Sequence, residues 1–314
     1  AFSMQAIQTF VRIRPWDPDK ETASLSFSID TNEVESPETE NSLGYDRVFG
    51  PDITQAEVFV HVAPFLGDIF NGCNTTIFAY GQTNSGKTHT MLGPSGKLTL
   101  SPLQMGIIPR CARWIFSNIN DLAKGCESDV QFQVRACFLE IYNGRVFDLL
   151  SNKGARTPLK IRAESAAGGT IDVQGATEIV VEATDSVMNV LATGSKQRAT
   201  ASTDMNLHSS RSHAIFTLYV EKRVREADSK GNSAGFKCHI SRVNLVDLAG
   251  SEDVSRSHAA GARLKEAVSI NSGLLQLHRV LGALGKGEAH VPYRDSALTR
   301  VLQDSLGGSA RTVF

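Results

Sequence analysis

Apolar residues recur along this chain in two rhythms, one of strands and one of helices. Val11 and Ile13 alternate with Arg12 and Arg14 before Pro15, which predicts a short half-buried strand ended by the proline. Residues 76–80 form an apolar run that leads straight into Gly81. Residues 134–142, 215–220 and 240–246 are rich in β-branched and aromatic side chains, and all four stretches predict strands. Residues 57–70, 185–197 and 264–284 carry helical spacing instead. Strands alternating with helices imply an α/β fold with a central mixed, mostly parallel sheet flanked by helices on both faces. Residues 30–46 break the rhythm with six acids and no base, and with Pro37 and Asn41 among them, which predicts a solvated, mobile loop. The glycine- and serine-rich residues 228–235 predict a flexible connection. With no internal repeat, heptad run or interdomain linker, the 314 residues read as one large domain.

Composition narrows the setting. The chain is 41% apolar and 21% charged, enough to bury a core. Its five cysteines (Cys73, Cys111, Cys126, Cys137, Cys238) are odd in number, widely spaced and lack a C-x-x-C pair, which argues against a disulfide framework or zinc site and for a reducing, cytoplasmic setting. No apolar stretch approaches the ~18–20 residues that span a bilayer, and the start has no charged region followed by an apolar one, so neither a membrane partner nor secretion is expected. Residues 1–3, ahead of Met4, are compatible with an expression scar and are set aside. A net charge of −1 gives no global basic field, so no DNA or RNA partner is expected, and any polyanionic partner must meet a local patch.

Candidate chemistry begins at Gly81-Gln82-Thr83-Asn84-Ser85-Gly86-Lys87-Thr88, which fits G-x-x-x-x-G-K-[ST]. Backbone amides and the following helix start would face phosphates, Lys87 would neutralise β/γ charge, and the Thr88 hydroxyl would ligate Mg²⁺. The chain therefore reads as a P-loop NTPase. Residues 243–247 form an apolar strand ending in Asp247, a natural outer-shell Mg²⁺ partner. In Leu248-Ala249-Gly250-Ser251-Glu252 directly after it, Gly250 can lend an N–H to a γ-phosphate and Glu252 can position water or a partner charge. A guanine site would want Asn-Lys-x-Asp. The candidate Asn152-Lys153-Gly154-Ala155 lacks the aspartate, which favours ATP over GTP.

These motifs resemble those of kinesins. The phosphate loop continuing through His89-Thr90-Met91, then Asn206-x-x-Ser209-Ser210-Arg211-Ser212-His213, then Asp247 to Glu252, are similar to the family's three nucleotide motifs in the family's order. Arg12-Ile13-Arg14-Pro15 near the start and residues 290–296 near the end extend the resemblance over nearly the whole chain. It implies a motor domain over residues 4–314, with its C-terminal end incomplete and the neck linker absent. It also implies a microtubule-based ATP hydrolase that binds ATP or ADP with Mg²⁺ at microtubules in the cytoplasm. The resemblance implies that Arg14, Pro15 and His89 line the adenine, and that they and Arg12 belong to the nucleotide site with Gln82, Thr83, Asn84, Ser85, Gly86, Lys87 and Thr88. Thr88, Ser210 and Asp247 would serve the metal, Ser209 and Asn206 would close over the γ-phosphate with Gly250, and Arg211 and Glu252 would pair when both switch segments shut. Two loops that close only around a γ-phosphate make hydrolysis a conformational signal. The alternative from another class is a non-motile tubulin-binding regulator with little turnover.

Residues 254–300 hold seven bases against three acids, inside a chain of net charge −1. By resemblance this is the segment that meets acidic tubulin, through Arg256, Arg263, Lys265, Arg294 and Arg300, with Arg145, Lys153 and Arg156 in a second basic stretch. Three departures stand out: Val268, Ser272 and Ala297 occupy positions where the family commonly has lysine, which implies a weaker grip. Asn84 and Gly144 also depart from the family's usual residues, tolerably. Oligomerisation would depend on segments outside this chain.

Overall fold

A computed structural model describes residues 7–16, 25–36, 41–94, 101–125, 130–152, 156–163, 171–200, 208–227, 233–252, 262–306 and 310–314. The chain opens with β1 (Phe10–Arg12), followed by a small antiparallel sheet of β2 (Ser26–Ser28), β3 (Glu33–Ser36) and β4 (Asn41–Gly44). β5 (Arg47–Phe49) then pairs in parallel with β1. The expected acidic loop at 30–46 is thus corrected. Residues 37–40 lie outside the described residues, but Glu33-Val34-Glu35 alternates like a strand, and Val34 pairs with Phe27 on one side and Leu43 on the other. The sheet is so exposed, with Leu43 58% accessible, that its polarity reads as loop.

α1 (Gln55–Val62) starts on a reciprocal capping box between Thr54 and Glu57. The helical periodicity of 57–70 overran its end. Pro64 lacks the N–H that would continue the helix, and the segment tightens into 3₁₀ turns at Ala63–Leu66 and Ile69–Asn71. Next come β6 (Thr75–Ala79), α2 (Lys87–Leu92), α3 (Ile107–Gly125), β7 (Val130–Tyr142) and β8 (Arg145–Asp148). A hairpin of β9 (Lys160–Ala163) and β10 (Ile171–Gln174) precedes β11 (Ile179–Val181), α4 (Thr184–Thr200) and the single turn α5 (His208–Arg211). The chain then runs through β12 (His213–Ala227), β13 (Ser233–Asp247), α6 (Ala262–Gly285), α7 (Ala297–Val301), α8 (Gln303–Leu306) and β14 (Arg311–Val313).

The central sheet runs β11-β7-β12-β13-β6-β14, with β8 on β7. It is mixed, as expected, but the mostly parallel weighting fails. Among the described residues only β13–β6 and β6–β14 of this sheet are parallel, while β7 pairs antiparallel with β8, β11 and β12, and β12 with β13. Periodicity along a strand does not encode the direction of its neighbour, and β12 and β13, successive strands in the chain, pair antiparallel along their length. The connection between them, residues 228–232, lies outside the described residues.

Helices cover both faces, as the strand patterning demands. On β7, Ala136 and Phe138 join a core with Met91, Ile108, Cys111, Ile115, Val187 and Leu191 of α2, α3 and α4. The alternate residues Cys137, Leu139 and Ile141 join a second core with Leu274, Leu277, Val280 and Leu298 of α6 and α7. One close approach sets the docking of α4. A Cβ on Gly194 would lie 2.2 Å from Phe138 Cδ1, and that ring is itself wedged edge-on against Phe216. Gly194→Val is therefore expected to lower stability by about 3 kcal/mol through overpacking, read from the shift of the urea midpoint at unchanged slope.

Candidate nucleotide site

The phosphate loop hangs from β6, whose five residues are all buried, so its start is fixed by the sheet. Gly81 (φ 149°) and Gly86 (φ 100°) take backbone conformations that side chains oppose, and a Cβ on Gly81 would fall 2.7 Å from Ser85 Oγ. Asn84 also sits left-handed, at φ 65°. Asparagine is among the residues that tolerate this, which accounts for its presence in the loop. Lys87 Nζ donates to the carbonyls of Gly81 (2.7 Å) and Gln82 (2.8 Å), so the ammonium is held against the loop it serves. Burial lowers its pKa, while Asp247 and Glu252 oppose that shift.

At the end of β13, Asp247 is buried and its Oδ2 accepts from Thr88 Oγ1 at 2.8 Å. Its other oxygen, Oδ1, is buried without a hydrogen-bond partner among the described residues. A buried carboxylate oxygen left over beside a threonine hydroxyl is the donor set of an outer-shell Mg²⁺ site, so these residues fit that ion.

Asp247 also faces a residue that the motifs did not reveal. Arg198 of α4 is buried, with Nη1 3.5 Å from Asp247 Oδ2, Nη2 donating to Ser212 O at 2.8 Å, and Nε 3.7 Å from Glu140 Oε1. Glu140 is itself 0% exposed and ion-paired with Arg156. The signals existed in the sequence. Arg198 extends the buried stripe Val187, Val190, Leu191, Gly194 of α4, and Glu140 interrupts an apolar strand; a charge in either place needs a partner.

The two switch segments touch through the backbone. Gly250 N–H donates to Ser210 O at 2.7 Å, so the amide expected to meet a γ-phosphate serves here as the clasp between α5 and the turn after β13. A Cβ on Gly250 would come within 2.2 Å of Glu252 Oε2 and 2.4 Å of Thr83 Oγ1, so any other residue would have to displace the Glu252–Thr83 contact. Glu252 accepts from Thr83 N (2.8 Å) and Thr83 Oγ1 (2.5 Å), and no ion pair between it and Arg211 occurs among the described residues. Burial would raise the Glu252 pKa, but the Thr83 hydroxyl and amide with Lys87 outweigh it and hold the group below its usual value. His213 Nδ1 accepts from Ala249 N–H at 3.1 Å. Burial, then Arg198 and Lys87, push its pKa down to about 3, so the imidazole stays a neutral acceptor at physiological pH.

On the far side of the loop, Arg14 Nη1 donates to Asn84 O at 2.5 Å, and Pro15 is exposed beside it. Arg12 is turned inward instead: its guanidinium is spent on Gln55 Oε1 (2.8 Å), Thr90 Oγ1 (3.1 Å) and Ile53 O (3.3 Å). It braces the site rather than offering a free cation to a ligand. Asn206 lies outside the described residues, as do the side chain of Ser209 and, on the basic segment, Lys153, Arg256 and the side chains of Arg263 and Lys265.

Residues 12–314 match the sequence model of a family described as Kinesin motor domain. The chain belongs to that kinesin family. It is 39% identical over 324 residues to the Kinesin-like protein Klp61F of Drosophila melanogaster, covering 99% of this chain and 29% of that protein. Identity to the human Chromosome-associated kinesin KIF4A is 43% over 279 residues, covering 88% and 22%. This kinesin chain thus spans less than a third of the length of these curated relatives. A solved structure titled "Structure of a fast kinesin: Implications for ATPase mechanism and interactions with microtubules" superposes with a TM-score of 0.84 at 36% identity, covering 100% of this chain and 85% of that one.

Within the kinesin frame, Arg156 is an expected partner contact that is exposed and also ion-paired with Glu140, its guanidinium 4.3 Å from the ring centroid of Phe147. Arg145 and Arg294 are exposed and Arg300 half-buried. Of the departures from the family's lysines, Val268 (55% accessible) and Ser272 face solvent on α6, and Ala297 is half-buried at the start of α7.

Proposed function

We propose that this kinesin domain binds ATP with Mg²⁺, hydrolyses it, and couples the cycle to its grip on microtubules. The single observation that carries the reading is the constellation around Asp247: a leftover buried carboxylate oxygen beside Thr88, with Lys87 against the loop and Gly250 clasped to Ser210. Thr88, Ser210 and Asp247 would hold Mg²⁺, which supplies neutralisation of phosphate charge when bound. Lys87 must release the Gly81 and Gln82 carbonyls to meet an incoming phosphate. Glu252 must leave Thr83 before it can pair with Arg211, and the Gly250–Ser210 clasp makes the two switch segments move together. An ordered water then needs only positioning, since phosphoryl transfer asks little covalent help of the protein. A steady-state ATPase assay with and without microtubules tests the reading. Turnover that microtubules leave unchanged would instead favour a non-motile tubulin-binding role.

Two further outcomes are expected. Glu252→Ala should still bind ATP but turn it over at least about tenfold more slowly in single-turnover quench, or about 1.4 kcal/mol of lost transition-state stabilisation. A wild-type rate would remove Glu252 from the closing step. On the partner side, exposed charges facing an acidic polymer act through steering, screened beyond ~8–10 Å at physiological salt. Val268→Lys, Ser272→Lys and Ala297→Lys combined should therefore raise co-sedimentation with microtubules and steepen its salt dependence. Unchanged affinity and slope would show that these positions do not face tubulin.

A further inference from the structure

Gln55 is 6% exposed and stands at the first position of α1, where the Thr54–Glu57 capping box fixes its backbone. Its two ends serve two different segments. Gln55 Oε1 accepts from Arg12 Nη1 at 2.8 Å, while Gln55 Nε2 donates to the His89 carbonyl at 2.7 Å and faces His89 Nδ1 at 3.4 Å. Arg12 continues β1 toward Arg14 and Pro15, and His89 lies in the first turn of α2, directly after Lys87 and Thr88.

We propose that Gln55 is the positioning residue for the base end of the bound nucleotide, holding the Arg14–Pro15 segment and His89 at a fixed separation. The inference rests on the nucleotide reading above. An amide is the side chain suited to this place, because it offers an acceptor to a cation and donors to a carbonyl at the same time. A carboxylate would keep Arg12 and lose His89, and an ammonium would do the reverse. The position is buried, so water does not take over either bond readily once the amide is removed. The contact toward Nδ1 suits a neutral ring, and burial together with the nearby Arg12 lowers the His89 pKa and favours that neutral form. Phosphates would be held by Lys87 and the loop amides, which Gln55 does not touch, so the base and phosphate ends of a nucleotide are supported by separate contacts.

That separation defines the test. Gln55→Leu and Gln55→Glu, made in the full-length protein, are titrated calorimetrically with Mg-ATP and with inorganic tripolyphosphate, which has phosphates and no base. The expected result for Gln55→Leu is about tenfold weaker ATP binding, with tripolyphosphate affinity within about twofold of wild type, as for the loss of one buried hydrogen-bonded junction. Gln55→Glu, nearly isosteric and able to keep Arg12, should fall about threefold for ATP alone. It supplies the answer should the leucine variant not fold. If ATP and tripolyphosphate weaken together, Gln55 is a structural brace for the whole loop and the inference is overturned. It is overturned equally if neither weakens. A wild-type protein that binds tripolyphosphate as tightly as ATP would instead overturn the base-site reading on which the inference rests.

Discussion

Lys87→Ala is expected to bind Mg-ATP on the order of a thousandfold more weakly than wild type, about 4 kcal/mol, in isothermal titration. Two consequences of one truncation add up here. The ammonium is held against the loop that would cradle the β- and γ-phosphates, and it is already partly desolvated, so its charge acts at a lower effective dielectric than a surface lysine's. Its removal also uncovers the Gly81 and Gln82 carbonyls that it now covers, at 2.7 and 2.8 Å, and turns two acceptors toward an anion. Stability should change far less, because the loop geometry is held independently by Gly81, Gly86 and the Ser251 N–H to Gly81 O bond at 3.2 Å. Wild-type affinity in this variant would sink the assignment of the phosphate site.

Arg198→Ala is expected to destabilise the fold by about 3–5 kcal/mol, the usual consequence of removing one partner from a buried ion pair. The truncation would take a charged partner from two buried carboxylates at once, leaving Glu140 with Arg156 and Asp247 with the Thr88 hydroxyl. Asp247 is 5% and Glu140 0% exposed, and neither can turn to water without moving a central strand. Arg198→Lys should lose less, since the charge survives, yet an ammonium has no planar fork to reach Ser212 O and Asp247 together. Urea unfolding of the three proteins gives the order. An Arg198→Ala variant as stable as wild type would mean that the network contributes nothing beyond what apolar packing would supply. Because Asp247 Oδ2 is shared between Arg198 and Thr88 Oγ1, the same variant should weaken Mg²⁺-dependent nucleotide binding, a loss visible at temperatures where it remains folded.

Much of this was legible in the linear chain, and the reason is that some requirements are local. A phosphate loop needs glycines where φ is positive, a lysine and a hydroxyl at set spacing, and all lie within eight consecutive residues. The strand at 76–80, the helices at 185–197 and 264–284, and the sheet buried on both faces followed likewise from periodicities that a single segment carries by itself. What stayed hidden depends on residues far apart in sequence. Strand direction in the sheet was misjudged because alternation reports which face is buried and not which way the neighbour runs. The acidic segment before residue 46 looked like solvated loop because an exposed sheet presents the same polarity. Arg156 reads as a surface cation, and its ion pair with the buried Glu140, 16 residues earlier, appears only in the packed structure. Gln55 and Arg198 carry no motif, and their roles arise only when α1 and α4 bring them against Arg12, His89 and Asp247, 34 to 49 residues away. The sequence by itself determined where the glycine loop sits with its positive-φ residues and which faces of the elements are apolar. Tertiary packing alone decided which buried charges meet, because a charge pair's partner is chosen by distance through space in a low dielectric, and the linear chain does not state that distance.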